Sequence, residues 1–212
     1  DAHNIIVDPK VPGLMLFGVY DGHGGPHASS YLQTVIPQAF EGLTDFSDHE
    51  RITQILLDID REFMNTNLQD GTTCCIVLTR VLDLVEDKPL ETLPETFTAK
   101  NCVDRIGIRI LAINVGDSRA MIIRNNGEFE SCTEDHKPSN LIEKRRIVRA
   151  GGQVVSARVD GNLALSRAIG DSVYKSDKTL SATEQKVIAV PDFQEHTIRW
   201  GDILLVCCDG IF

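Results

Sequence analysis

Three apolar runs of strand length, 14–20, 106–115 and 203–208, end alike: each is followed at once, or after a single glycine, by an aspartate. The aspartates are Asp21, Asp117 and Asp209, and Gly22 and Gly210 directly follow two of them. Runs of this length and composition, bounded by turn residues, read as buried β-strands. All fall well short of the roughly 18 apolar residues that a membrane-spanning helix needs. A carboxylate after a strand is an ordinary turn former, and for any one of the three that is an adequate explanation. If the three strand ends converge, however, three carboxylates share one cleft, where like charges cannot all ionise unless cations neutralise them. Oxygen-only donors select hard divalent ions, Mg²⁺ or Mn²⁺, over zinc.

Between these runs the chain alternates groups of strands with helices. A helix is predicted over 26–40, with Pro26 in its first turn. Ile52, Ile55, Leu56, Ile59 and Phe63 lie at helical spacing and predict a second helix. Residues 72–82 and 119–124 read as strands, the latter followed by a tight-turn signal at Asn125-Asn126-Gly127. Asn140 and Glu143 have the spacing of a capping box for a third helix that Gly151-Gly152 closes. Strand-like segments follow at 153–159 and 186–190. Residues 83–104, with Pro89, Pro94 and several acids, read as a surface-loop insertion. The pattern predicts a single α+β domain over 1–212 with largely antiparallel sheets. Abrupt ends at Asp1 and Phe212 suggest an incomplete piece of a longer domain.

Composition narrows the function. With 21 Lys and Arg against 31 Asp and Glu, the net charge of −10 argues against a nucleic-acid or anionic-membrane binder. Six cysteines include two adjacent pairs in apolar runs and no C-x-x-C, so they read as buried, reduced thiols of an intracellular protein, cytoplasmic or nuclear. Residues 22–27 begin like a dinucleotide fingerprint but carry Pro26 and His27 where it should continue, and no P-loop or H-E-x-x-H occurs. Cys74 to Arg80 has the C-x5-R spacing of a cysteine phosphatase, yet the intervening residues are strand material without glycine. Asp58-Ile59-Asp60 lies on the second helix and reads as a solvated face. His23, two residues past Asp21, is a turn residue or, beside a metal-binding carboxylate, a general acid with an ordinary pKa near 6.5.

Residues 17–25, Phe-Gly-Val-Tyr-Asp-Gly-His-Gly-Gly, resemble the signature of the metal-dependent protein serine/threonine phosphatases of the PPM/2C class. The resemblance continues through 70–73, 114–119, 135–138, 143–152, 163–171 and 208–212, in the family's order. It implies a four-layer αββα sandwich, with two central antiparallel sheets flanked by helix pairs. It also implies two Mg²⁺ or Mn²⁺ ions, with a third at a weaker site. Asp21 matches the bridging ligand, the Gly22 carbonyl a second ligand, Asp209 a direct ligand, Asp117 the third-site residue and Asp1 a ligand through water. His23 matches the general acid that protonates the leaving seryl or threonyl oxygen after in-line attack of a metal-bridging water on phosphorus. The family's phosphate-binding Arg is expected before residue 1, and its last metal-binding Asp, in an Asp-Asn pair, beyond residue 212. Phosphoprotein substrates and a monomeric state are further implications, and 175–186 corresponds to a substrate-selecting flap or, as an equal alternative, is an ordinary exposed loop. The rival expectation is a pseudophosphatase, the same fold kept as a binding or scaffold module.

Overall fold

Successive side chains of a strand point to opposite faces, so an unbroken apolar strand needs apolar neighbours on both sides. That requirement organises the molecule. The structure, a computed structural model, describes residues 1–8, 11, 13–90 and 105–212. Its first part contains β1 (Ala2–Val7), β2 (Met15–Tyr20), β3 (Gly22–His23), α1 (His27–Ala39), α2 (His49–Met64), β4 (Gly71–Thr72), β5 (Cys74–Asp83) and β6 (Lys88–Pro89). Then come β7 (Ile106–Val115), β8 (Arg119–Ile123), β9 (Phe129–Ser131), α3 (Leu141–Arg149), β10 (Val154–Val155) and β11 (Arg158–Val159). The described chain closes with β12 (Ile169–Gly170), a 3-10 turn at Ser172–Lys175, β13 (Asp192–Ile198) and β14 (Ile203–Cys207).

The main sheet runs β1-β2-β5-β7-β13, with β6 folded back onto β5, and every pairing is antiparallel. A second antiparallel sheet runs β14-β8-β9. On one face of the main sheet Cys74, Ile76, Leu78, Leu111, Ile113 and Val115 pack with Leu32 and Ile36 of α1 and Leu56 of α2. On the other, Cys75, Val77, Ile110 and Ala112 pack against Ala120 and Ile122 of β8. Adjacent Cys74 and Cys75 thus belong to different cores. The chain forms the expected α+β architecture with antiparallel sheets: of the αββα layers, the two stacked sheets and one helix pair, α1 and α2 on an outer face, are seen among the described residues. α3 has a separate small core, where Ile147 meets Val159, Leu165, Ala168 and Val187.

Local sequence explains most element boundaries. The Asp48 carboxylate accepts the Arg51 N–H and caps α2, whose buried face carries Ile52, Leu56, Ile59 and Phe63. Pro26 offers no capping side chain to α1; Asp70 does so from a distance, accepting the N–H groups of His27 and Ala28 at 2.7 and 3.0 Å. The Asn125-Asn126-Gly127 turn closes the β8–β9 hairpin as expected, Arg124 N–H donating to the Glu128 carbonyl.

Three expectations need correction. Asp60 is not solvated: four residues after Leu56 and three before Phe63, it falls on the apolar stripe and is buried. There it accepts the Gly170 N–H at 2.8 Å and pairs with Lys175 at 2.6 Å. Asn140 does open α3, but the capping box does not form. Its side chain donates instead to the Asp135 carbonyl, and Glu143 turns inward to Arg146, Ser166 and Arg167. Residues 186–190 form no strand beyond one bridge between Arg167 and Ile188, because arginine side chains take carbonyls that a neighbouring strand would use. Arg146 donates to the Gln185 and Lys186 carbonyls, and Arg167 to that of Val190. The 153–159 segment is the two-stranded hairpin β10–β11. Of the expected 83–104 loop, residues 84–90 make a turn and β6, while 91–104, with Cys102, lie outside the described residues. The five described cysteines are all free.

Ile113, fully buried between β7 and the helices, tests this layering. Ile113→Ala is expected to lower unfolding free energy by about 2–5 kcal/mol, read from urea denaturation with an unchanged slope.

Candidate active site

Strand registers alone bring the separated aspartates together. β1 pairs Ala2 with Tyr20, so one step further sets Asp1 beside Asp21. β2 pairs Val19 with Cys75, and two steps further set Asp21 beside Thr73. β5 pairs Cys74 with Val115, so Thr73 comes beside Gly116. In the second sheet Cys207 lies opposite Arg119, which places Asp209 across from Asp117. The outcome is a cleft of about 320 Å³ lined by Asp21, His23, Thr73, Asp117, Arg158, Asn162, Leu163, Ala164, Leu165 and Asp209. The convergence is therefore real for Asp21, Asp117, Asp209 and His23. Asp1 stands alongside, its carboxylate accepting the Gly22 N–H at 3.3 Å.

Thr73 fastens the two sheets at this end. Its N–H donates to the Asp21 carbonyl, its hydroxyl oxygen accepts the Asp21 N–H at 2.9 Å, and the same oxygen meets the Ser118 hydroxyl at 2.6 Å. A side chain at 116 would collide with it, since a Cβ there would sit 2.7 Å from the Thr73 methyl; the φ of +115° at Gly116 also excludes other residues. The turn bearing Asp117 is gripped by three consecutive residues. Asp135 takes Arg119 in a two-pronged pair, the His136 Nδ1 accepts the Gly116 N–H at 3.0 Å, and Lys137 pairs with Asp117.

His23 sits on β3, the edge of a small sheet of order β12-β4-β3. There its Nε2 meets the Asp171 carboxylate at 2.8 Å. Gly71 lies between them: a Cβ at 71 would come within 2.4 Å of that carboxylate and 2.6 Å of the imidazole. Burial pushes the His23 pKa down, but the hydrogen bond to Asp171 and the charges of Asp171, Asp21 and Asp117 outweigh it, and the net shift is upward. The Asp21 carboxyl is also shifted up, first by burial and then by the charges of Asp209 and Asp117 and a hydrogen bond with Asp209.

The donor set fits hard cations in kind: all oxygen, with too much negative charge in too little space. Among the described residues, however, no three His, Cys, Asp or Glu side chains form a ready-made metal group. Asp117 leans on Lys137 instead, so an ion at Asp117 would have to displace that ammonium. The expected flap does not line the cleft; Arg158 and 162–165 do. Residues 175–186 are fixed at both ends, by the buried Lys175–Asp60 pair and by Arg146 of α3, which donates to the Gln185 and Lys186 carbonyls. Sequence reasoning also missed Asp171, Thr73 and Lys137. Their only signal was membership in matched blocks.

The family model described as protein phosphatase 2C matches residues 12–212. The chain belongs to the protein phosphatase 2C family. It is 33% identical over 216 residues to a protein of Paramecium tetraurelia named "Probable protein phosphatase 2C 4", covering 100% of this chain and 67% of that one. It is 34% identical over 217 residues to protein phosphatase 2C homolog 3 of Schizosaccharomyces pombe, covering all of this chain and 47% of that one. The chain thus spans about half to two thirds of these relatives' length. Among solved structures, a phosphatase from a pathogenic strain of Toxoplasma gondii superposes with a TM-score of 0.80 at 30% identity. That match covers 100% of this chain and 72% of the other. A second Toxoplasma gondii structure, a serine-threonine phosphatase 2C, gives a TM-score of 0.65 at 20% identity and shares the fold, covering 96% of this chain and 70% of that one.

Buried charges behind the cleft are paired throughout. Glu143, Arg146 and Arg167 form one network that continues through Asp192 to His136 and so to Gly116. The Asp192 carboxyl is held down to about 2, chiefly by the His136 hydrogen bond and with help from Arg167, against the effect of burial. A carboxyl with a depressed pKa contributes stability above its unfolded value near 3.9, and that contribution is lost as pH falls toward about 2. Asp192→Asn is therefore expected to flatten the pH dependence of unfolding free energy between about pH 4 and 2. Urea titrations across that window check it.

Proposed function

We propose that this chain is the catalytic region of a metal-dependent protein serine/threonine phosphatase acting on phosphoserine and phosphothreonine. The observation that carries the proposal is the meeting of Asp21, Asp117, Asp209 and His23 in one cleft. Crowded carboxylates that raise the Asp21 pKa are a ground state in need of cations, and oxygen donors favour Mg²⁺ or Mn²⁺. Asp21, the Gly22 carbonyl and Asp209 would hold a pair of ions, Asp1 through water, and Asp117 a third. Bound there, the ions supply charge compensation for phosphoryl oxygens and lower the pKa of a coordinated water.

The chain's own residues do the rest. His23, beside Asp21 and kept more basic than usual by Asp171, holds a proton for the departing seryl or threonyl oxygen. Leu163, Ala164 and Leu165 give the cleft an apolar wall that limits water, and Arg158 puts a cation on its rim. Buried free thiols at Cys74, Cys75, Cys132 and Cys207 support placement in a reducing intracellular compartment, cytoplasmic or nuclear. Among the described residues no helix is long and apolar enough to cross a membrane. A monomer acting directly on phosphoproteins completes the proposal.

Phosphate release from a phosphothreonine peptide and from para-nitrophenyl phosphate, by the full-length protein with Mn²⁺, Mg²⁺ or EDTA, tests this reading. Activity is expected only with metal and is expected to fall at least about 100-fold in Asp209→Ala. No turnover by folded, Mn²⁺-saturated protein would instead leave the fold as a binding module. His23→Ala is expected to slow the peptide by about 10²- to 10⁴-fold while sparing the aryl phosphate, whose leaving group needs little protonation. Equal losses on both substrates would remove His23 from that role.

A further inference from the structure

Asp171 is a buried carboxylate that local structure does not explain. Its side chain is 5% exposed, and an unpaired charge at such depth is costly. It precedes the Ser172–Lys175 turn in the capping position, yet it makes no side-chain capping bond there. Its backbone is left-handed, at φ 56° and ψ 45°, a conformation that disfavours most residues other than glycine, asparagine and aspartate. That backbone is pinned by the Asp171 N–H to the Asp70 carbonyl and by the Tyr174 N–H to the Asp171 carbonyl. Among the described residues, the hydrogen-bond partner of its carboxylate is the His23 ring. Gly71, which leaves no room for a Cβ between the two groups, keeps them in contact.

We propose that Asp171 is the positioning residue for His23: its carboxylate accepts the Nε2–H, so that Nδ1 is left as the ring atom that handles the leaving-group proton. A carboxylate is acceptor-only, so Nε2 must carry hydrogen in this pair, and the ring's tautomer and orientation are fixed together. An amide at 171 could instead donate to Nε2, which would place the neutral ring's hydrogen on Nδ1. This inference rests on the general-acid reading of His23, and the two can be separated.

Asp171→Asn suits the test because asparagine tolerates the left-handed backbone, so the fold is expected to persist. Long-range ¹H–¹⁵N spectra of the full-length protein, recorded at a pH where the ring is neutral, are expected to show His23 as the Nε2–H tautomer in the wild type, with that signature lost in Asp171→Asn. Turnover of the phosphothreonine peptide is expected to fall at least about tenfold with the aryl phosphate little changed. The double variant Asp171→Asn/His23→Ala is expected to be no slower than His23→Ala alone, since one residue acts through the other. An unchanged His23 spectrum in Asp171→Asn, or full additivity in the double variant, would overturn the assignment while leaving the general-acid reading standing. If His23→Ala alone fails to distinguish the two substrates, the general-acid reading falls, and the spectra still decide whether Asp171 sets the tautomer.

Discussion

The hydrogen bonds of Thr73 hold the molecule's functional end in place. One residue between β4 and β5 secures the backbone of Asp21 on one side and the Ser118 hydroxyl, next to Asp117, on the other. Because it is buried, neither partner can exchange it for water without leaving a polar group unsatisfied, at roughly 1–3 kcal/mol each. Elsewhere the main sheet and the β8–β14 sheet meet through apolar packing, with further directional bonds at the far end, His196 to Glu130 and Arg124 to the Thr197 carbonyl. Added to the strand registers, the Thr73 bonds tie the backbone of Asp21 directly to the turn that carries Asp117.

A second layer of constraint is electrostatic. The region behind the cleft buries Glu143 and Arg167 and half-buries Arg146, which would be a serious cost if any one lacked a partner. Each is bonded both to opposite charge and to backbone or hydroxyl groups, so the network ties α3, the 166–168 segment and β13 into one unit. His136 passes that rigidity to the Gly116 turn. The carboxylates of the cleft are thus mounted on a frame whose own charges are already neutralised, and of the three cleft aspartates Asp117 is itself paired, with Lys137.

The parts of this arrangement legible in the sequence are those governed by short-range periodicity. Strand-length apolar runs marked the locations of β2, β7 and β14, and helical spacing marked α2, because burial on a regular element leaves a regular trace. The terminal aspartates were visible as a pattern, though their convergence depends on pairing between residues up to 188 positions apart, Asp21 and Asp209, which no local window contains. The errors share a cause. Glu143 looked like a cap and Asp60 like a surface residue because their true partners, Arg167 and Lys175, lie far along the chain. Asp171 and His23, 148 residues apart, form a pair for the same reason unseen.

The anchoring of 175–186 has an evolutionary side. Lys175 is locked to Asp60 on α2, and Gln185 is locked by Arg146 on α3 through its carbonyl. Between these fixed points, residues 176–179 and 181–184 are exposed and bonded mainly among themselves, as Ser181 is to Glu184 and Thr179 to Asp177. Substitutions there fall on a surface tied to α2 at one end and to α3 at the other, and the segment's own bonds do not involve the cleft carboxylates. A segment mounted in this way can diverge between descendants faster than the scaffold that carries it, acquiring new recognition surfaces without renegotiating the chemistry beneath.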